Sequence, residues 1–485
     1  MFFTCPSNLN VKILNLKFPN CLLGRYLASL LTVFILNSCA TYYQSNYEFN
    51  KEFESGNLKE AIQTLKNRSA QASGKDRFLY FVNKGLVLSM MGHYEESNGF
   101  FEEAYLFWED FKLDYFREGA AYLTNPMVTV YRGEDHEHLM LLYYKAMNYL
   151  KLGKQEEALV ECRRLSIRLQ QLSNRYSKNN NYRHDAFINN LMGIIYDSDN
   201  DYNNAFIAYR NAVDTYKNEY EQMFNLSAPN QLKLDLLRTA WLSGFTDEFE
   251  KYKNEFGMDG YQYKPAEGGE LVFFWHNGLA PVKAEWGVNF LVDHGRSGLV
   301  TFYNREMNLS FSFPTNNINE NDRRGLSRLE VFRVAFPRYV ERPPHFREAT
   351  LRVNDSNYAL ELTENINKIA FKVLEERMGH EFANALIRVA LKKASEYALK
   401  KDDRGAGALL GLFNAITEKA DTRNWQTLPH SIYYARVPLP EGQSTVSFSL
   451  DGDHHTDRTF TYQVKKGQMY FHTFTSLESR APNYY

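Results

Sequence analysis

Two patterns of apolar and polar positions divide the chain. In the first half, small, aromatic and turn residues recur at helical spacing. Gly85, Gly92, Tyr94, Ser97, Phe101 and Ala104 return, offset for offset, as Gly193, Asn200, Tyr202, Ala205, Tyr209 and Ala212. A third copy holds Ala146, Tyr149, Gly153, Ala158, Cys162 and Leu165, and a fainter one Gly56, Leu58, Ala61 and Leu65. The spacing predicts pairs of antiparallel helices. Small residues let the two helices approach closely, and Gly or Asn ends the first helix in the left-handed conformation. After about residue 256 the pattern changes. Glu270–Trp275, Leu299–Phe313, Leu329–Phe336 and Ala349–Val353 are short apolar runs bounded by turn residues, which predicts strands. Helical spacing returns at Leu362, Ile366, Ile369, Val373 and Leu374, and again at Phe382, Leu386, Val389 and Ala390. Strands close the chain at Ser431–Val437, Thr445–Leu450, Phe460–Val464 and Met469–Phe474, the last two expected to flank Lys466-Gly467 as a hairpin.

The first pattern resembles the tetratricopeptide repeat. Each helix pair leaves an apolar face that only the next pair covers. The spacing of the turns is uneven, so the array carries insertions around 107–137 and 167–184. Insertions in a solenoid map to loops on one face, often the binding face. The first insertion ends in Tyr131-Arg132-Gly133-Glu134-Asp135, polar and Gly-containing, and Tyr131, Arg132, Glu134 and Asp135 are candidate contacts for a partner or for the second half. The expected fold class is α+β: an all-α TPR-like array over 39–255, then a β-sandwich-like domain over 256–485 with a helical insertion at about 355–425.

The amino terminus reads as an address. Lys17 and Arg25 precede the uncharged run Tyr26–Leu36, too short to span a bilayer. Leu36-Asn37-Ser38-Cys39 follows and resembles the bacterial lipobox. That implies a signal peptide over 1–38, cleaved to leave Cys39 first and acylated. Ala40 in place of Asp implies sorting to the outer membrane by the Gram-negative rule, and the absence of an acidic run in Thr41–Ser45 favours the periplasmic face.

A wider resemblance covers residues 39–475. Gly269–Val272 with Asn277–Pro281, Phe336–Tyr339, Trp425 with Leu428-Pro429, Ala435–Gly442, Tyr131–Asp135 and Tyr143–Ala146 resemble an uncharacterised family of bacterial lipoproteins with a repeat array and a β-rich module. That likeness implies architecture and location, not a reaction.

Composition adds exclusions. A formal net charge of −2 over 485 residues argues against nucleic acid as a partner. Four cysteines (Cys5, Cys21, Cys39 and Cys162) are too few for a disulfide framework in a chain of this length. Cys162 falls at a helix-packing position. No nucleophile elbow, phosphate loop, dinucleotide fingerprint or zinc-ligand spacing occurs. Asp451-Gly-Asp453-His454-His455-Thr-Asp457 has metal-ligand atom types but reads as a solvated loop between strands, and His276 and His380 read as structural. Catalytic residues, metals and cofactors are therefore not expected. The expected function is a lipid-anchored, non-enzymatic envelope scaffold that binds an unidentified envelope protein. The alternative is an envelope hydrolase or transferase drawing its carboxylates from Glu270, Asp451 and Asp453. A third reading lays the amphipathic, basic Ala385–Lys393 and the apolar Gly405–Phe413 on a membrane, against a core role for them.

Overall fold

The small–large offset of the repeats sets how the helices pair. The computed structural model describes residues 41–114, 129–175, 184–294, 298–306, 308–315, 320, 323, 326–327, 329–376, 386, 389–390 and 419–483. The signal segment, Cys39, His380, the centres of both array insertions and Gly405–Phe413 lie outside these. Five helical hairpins follow one another among the described residues: α1 (Tyr47–Glu54) with α2 (Leu58–Asn67), α3 (Arg77–Met90) with α4 (Tyr94–Asp114), α5 (Asp135–Lys151) with α6 (Gln155–Arg175), α7 (Ala186–Ser198) with α8 (Tyr202–Thr215), and α9 (Asn230–Leu242) with α10 (Thr246–Glu255). Gly56, Gly92, Gly153 and Asn200 all take positive φ at the turns, as the spacing predicts, and Gly244 does the same in the fifth. A Cβ on Gly85 would lie 2.8 Å from the ring of Phe101, and one on Gly193 would enter the ring of Tyr209. The third pair puts Ala146 and Cys162 at the same two places, both fully buried. The Cys162 thiol is free, and burial pushes its pKa up.

The fifth hairpin was not expected from the sequence. Where the other pairs place Gly85, Ala146 and Gly193, seven residues before the turn, it has Leu237. Phe249 likewise takes the place of Ser97, Ala158 and Ala205. Its two helices part around large side chains instead of small ones, so the repeat signal fades while the hairpin remains.

Among the described residues, twelve strands then build three four-stranded sheets. The first has the order β12 (Met469–Ser476), β1 (Gly269–Asn277), β9 (Ser431–Leu439), β8 (Glu361–Glu364). The second is β11 (Thr456–Val464), β10 (Gly442–Gly452), β6 (Phe346–Val353), β7 (Ser356–Ala359). The third is β4 (Leu309–Pro314), β3 (Leu299–Asn304), β2 (Val282–His294), β5 (Val331–Val340). The central strands of the first sheet are buried on both faces, which explains their unbroken apolar runs. Leu271, Phe273 and Trp275 join Phe346, Leu351, Val446 and Phe448 in a core shared with the second sheet. The alternate residues Val272 and Phe274, with Ile432 and Tyr434, join the core of the helical array. The third sheet closes over its own core of Phe290, Phe302, Phe332 and Phe336, to which Leu386, Val389 and Ala390 belong.

Two expectations are corrected. β11 and β12 do not form a hairpin: β11 pairs with β10 in the second sheet, and β12 runs parallel to β1 in the first. The turn at Gly467 docks on the head of β1 instead, where its N–H donates to Gly268 O (2.8 Å) and Glu270 N–H donates to Gln468 O (3.0 Å). Leu362, placed at the start of a helical stripe, lies in β8, and the helix occupies 366–376. β8 ends in Thr363 and Glu364, whose polar groups are engaged by the array, so the strand persists where periodicity alone favours a helix.

Candidate functional site

The first helix of each pair turns its side chains toward the second half of the chain, and between the two lies a segment without helix or strand, residues 420–430, which turns just after Trp425, where Leu428 N–H donates to Trp425 O (3.4 Å). It follows the long stretch after the helix at 366–376 and leads into β9. Trp425 is its centre. Its ring is fully buried, with ring centroids 6.1 Å from Phe101 of α4 and 6.0 Å from Tyr144 of α5. Its backbone N–H donates to Glu137 Oε1 (2.6 Å), and its indole N–H to Thr427 Oγ1 (2.9 Å).

The flanking side chains reach successive helices. Gln426 Nε2 donates to Asn50 Oδ1 on α1 (3.0 Å), and the Thr427 hydroxyl to Asn83 Oδ1 on α3 (2.7 Å). Arg423, 1% exposed at its side chain, donates to Asp76 Oδ1 at the head of α3 (3.0 Å), to Thr129 O (2.9 Å) and to Asp421 (2.6 Å). Its guanidinium carbon stands 5.2 Å from the Tyr131 ring centroid. Tyr42 N–H donates to Thr422 Oγ1 (2.9 Å). Asn424 Nδ2 donates to Pro281 O (2.8 Å), so the segment also touches the connection between β1 and β2. Most polar groups here find a partner, since a buried group left without one costs about 1–3 kcal/mol; Gln426 Oε1 is buried without one.

Of the four residues singled out near the first insertion, three are buried inside this region. Tyr131 donates its hydroxyl to Glu137 Oε2 (2.9 Å), and the Glu134 N–H donates to the same oxygen (3.0 Å). The Glu134 carboxylate pairs with Lys283 of β2, so this residue contacts the second half. Asp135 pairs with Arg168 of α6 (2.6 Å), within the array. Arg132 is partly exposed beside them. Glu137 has Glu134 as a neighbour and is fully buried; desolvation, then the Glu134 charge, raises its pKa to about 7.

A second charged contact joins the array to β9. Arg436, on the face of β9 that carries Ile432 and Tyr434, donates to Asp197 Oδ2 of α7 (2.6 Å) and lies 3.2 Å from Asp235 Oδ1 of α9. Arg238 also pairs with Asp197, and the Tyr209 hydroxyl donates to the same carboxylate (3.1 Å). Burial raises Asp235 to about 6, against the pull of both guanidiniums. Asp197, with the same guanidiniums closer, is held below its ordinary value even though burial pushes the other way. Further along, α8 continues through a π-turn at Tyr216–Tyr220, and the Tyr216 hydroxyl donates to Thr363 O of β8 (2.5 Å). Glu361 of β8 accepts Asn230 N–H (2.9 Å) and Gln231 N–H (2.7 Å) at the start of α9. His276 of β1 meets the Tyr143 hydroxyl at 2.7 Å, and burial lowers its pKa to about 3.

The carboxylates considered for catalysis are not brought together. Glu270 lies 3.5 Å from Arg436 in the first sheet. Asp451 and Asp453 belong to the far end of the second sheet: Asp451 binds His455 Nδ1 (2.7 Å), and Asp453 is held by Arg480 (2.8 Å), His345 (2.9 Å) and Arg347 (3.3 Å). Among the described residues no group of three or more His, Cys, Asp or Glu side chains is disposed to hold a metal ion. No helix among them is long and apolar enough to cross a membrane.

Residues 420–427 were missed as a functional element. A single segment without helix or strand has no period, and its partners lie hundreds of residues away. The available signal was composition: Arg423-Asn-Trp-Gln-Thr427 puts an arginine and a tryptophan in a stretch with neither helical nor strand spacing.

The fold thus defines a class: an array of helical hairpins whose inner side is joined to a β-rich half. No protein-family model matches the chain, and no curated protein matches it. Solved structures that it is similar to include BtubC from P. vanneervenii, at 17% identity over 50% of this chain and 89% of that one, with a TM-score of 0.31. Another holds TPR-like repeats of a kinesin light chain from Podosopora anserina, at 13% identity over 44% of this chain and 92% of that one, with a TM-score of 0.30. A third is the Rap protein complexed with Competence and Sporulation Factor, at 15% identity over 44% of this chain and 52% of that one, with a TM-score of 0.28. Scores at this level carry no argument, so the repeat character rests on the helix pairs themselves.

Proposed function

We propose that this chain is a lipid-anchored, non-enzymatic scaffold of the bacterial cell envelope that binds proteins through its repeat array. The observation that supports the binding role most directly is the array's hold on residues 420–430. Side chains from α1, α3, α4 and α5 converge on one short segment without helix or strand and recognise an aromatic residue, a guanidinium and a backbone N–H. A surface that grips such a segment of its own chain has the chemistry of a peptide groove. In this reading the first and second sheets pack face to face as a sandwich and brace the array from its inner side. Residues 131–135 then serve the junction between the halves, with Glu134 bonded across it.

The anchor follows from the lipobox-like Leu36–Cys39. Acylation of Cys39 and retention at the periplasmic face of the outer membrane place the scaffold beside machinery that assembles the wall or the outer membrane. Cys39→Ala is expected to move the protein from the membrane fraction to the soluble one. A variant that stays with the membrane would remove the anchor from this reading. Photo-crosslinkers placed on the array in the native envelope are expected to capture a defined protein partner. Recovery of lipid alone would remove the scaffold role.

A further inference from the structure

We infer that residues 420–427 are an in-cis ligand: they occupy the array's peptide groove and exclude a partner segment of the same chemistry, a stretch with a tryptophan two residues after an arginine and a turn just beyond it. This deepens the scaffold reading above and rests on it.

How the segment is held separates it from the strands on either side. β9 is fixed by ladders to β1 and β8 along its length. The backbone of the segment joins the rest of the fold through backbone partners only from Leu428 onward, where Leu428 O accepts Ala280 N–H (2.7 Å) and His430 N–H donates to Asn277 O (3.1 Å). Between 420 and 427, the bonds to other elements each use a side chain on one side. A strand in a ladder leaves only when the sheet comes apart. A segment held by side chains can open locally, below the free energy of global unfolding.

The contacts also define what would compete. Phe101 and Tyr144 stack on each other, with ring centroids 6.0 Å apart, and together form a wall against which one aromatic ring packs at a tilt. Glu137 accepts a backbone N–H at that residue, Asp76 takes a guanidinium two residues earlier, and Asn50 and Asn83 read polar side chains one and two residues later. Aromatic and arginine anchors in desolvated pockets carry most of the energy in such interfaces. A competitor must offer both anchors: without the arginine Asp76 loses its donor, and without the ring the wall of Phe101 and Tyr144 is left uncovered.

The test uses the full chain and a synthetic peptide of residues 419–430. In the double variant Arg423→Ala/Trp425→Ala the groove keeps its walls and loses its occupant's anchors. The peptide is expected to bind this variant at least about tenfold more tightly than it binds the wild-type chain, whose groove is filled. A peptide with Trp425 replaced by Ala is expected not to bind either. Equal affinity for both chains, with the variant folded by circular dichroism, would overturn the inference. Should the variant not fold, hydrogen exchange of the wild-type chain decides. The Trp425 amide is expected to exchange about tenfold or more faster than the amides of β1, through local opening. Exchange of both at one rate, only with global unfolding, would overturn it. If the peptide fails while crosslinks to a partner persist, the groove is removed and the scaffold stands. If the crosslinks themselves vanish, the scaffold falls whatever the peptide does.

Discussion

The array meets the second half at two buried charged zones, and they are built differently. Around Arg436, one arginine crosses the contact to Asp197 and Asp235, which Arg238 also reaches from within the array, and Arg436 is carried by a strand bonded on both sides. Around Trp425, Glu137 accepts the backbone N–H of a segment that has no ladder, Arg423 of that segment pairs with Asp76 and Asp421, and Glu134 pairs with Lys283. A charged side chain carried by a strand laddered on both sides makes a permanent joint. A segment held by side chains makes a joint that can open. The same chemistry, buried charge between helix and strand, therefore serves two mechanical ends.

The largest effect is expected at the permanent joint. Arg436→Ala leaves Asp197 and Asp235, each 1% exposed at the side chain, with Arg238 alone. Removing one partner of a buried ion pair costs about 3–5 kcal/mol, because the other charge stays buried. Urea denaturation is expected to show that loss as a fall in the midpoint of the whole unfolding transition. A separate early transition of the β half would contradict the idea that this joint binds the two parts into one cooperative unit. Arg436→Met fills similar volume without a charge but strands the same aspartates, so it is expected to be no better than alanine by more than about 1 kcal/mol.

A smaller effect is expected at the second joint. Arg423→Ala strands Asp76 and Asp421, but their side chains are 21% and 25% exposed and recover water. Loss of its charged hydrogen bonds is expected to cost about 1.5–3 kcal/mol. It should appear first as faster hydrogen exchange across residues 420–427, with the strands of the first sheet unchanged. If β9 loosened equally, the two joints would not be mechanically distinct.

How far the sequence discloses these joints differs in the same way. The turns of the array were legible, because Gly or Asn after a helical run has a local cause, and Gly56, Gly92, Gly153 and Asn200 all adopt it. The close approach of Gly85 to Phe101 was legible as a fixed offset between small and large residues. Arg436 was visible in principle, as a charge on the same face of β9 as Ile432 and Tyr434, although nothing nearby names Asp197 or Asp235 as its partners. The Trp425 segment was not legible as a site: neither helix nor strand spacing marks it, and Asn50, Asn83 and Glu137 are distant in the chain. The β11–β12 pairing failed for a related reason. A Lys-Gly turn between two apolar runs reads as a hairpin locally, and only the open edge of β1 draws β12 into another sheet.

The last effect is a pH dependence centred on Glu137 at the second joint, spread over its titration window. Glu137 titrates near an ordinary glutamate value in the unfolded chain and at about 7 in the folded one, so the folded chain binds the extra proton between these limits. Stability from this group is therefore greatest at the acid end of the window and is lost as pH rises toward 7. His276 acts oppositely: neutral in the folded chain down to about 3, it favours folding as pH rises toward its ordinary value near 6.5. The two partly cancel in the wild-type curve, so the readout is a difference between curves. Glu137→Gln removes the first contribution and leaves the second. Its stability relative to wild type is expected to improve between pH 5 and pH 7.5 by about 1.4 kcal/mol for each pKa unit of the shift lost, whatever the substitution costs at a single pH. A constant difference across that range would show that Glu137 keeps one charge state throughout. In that case Glu137 takes up no proton on folding in this window, and the distinction between the two joints rests on backbone pairing alone.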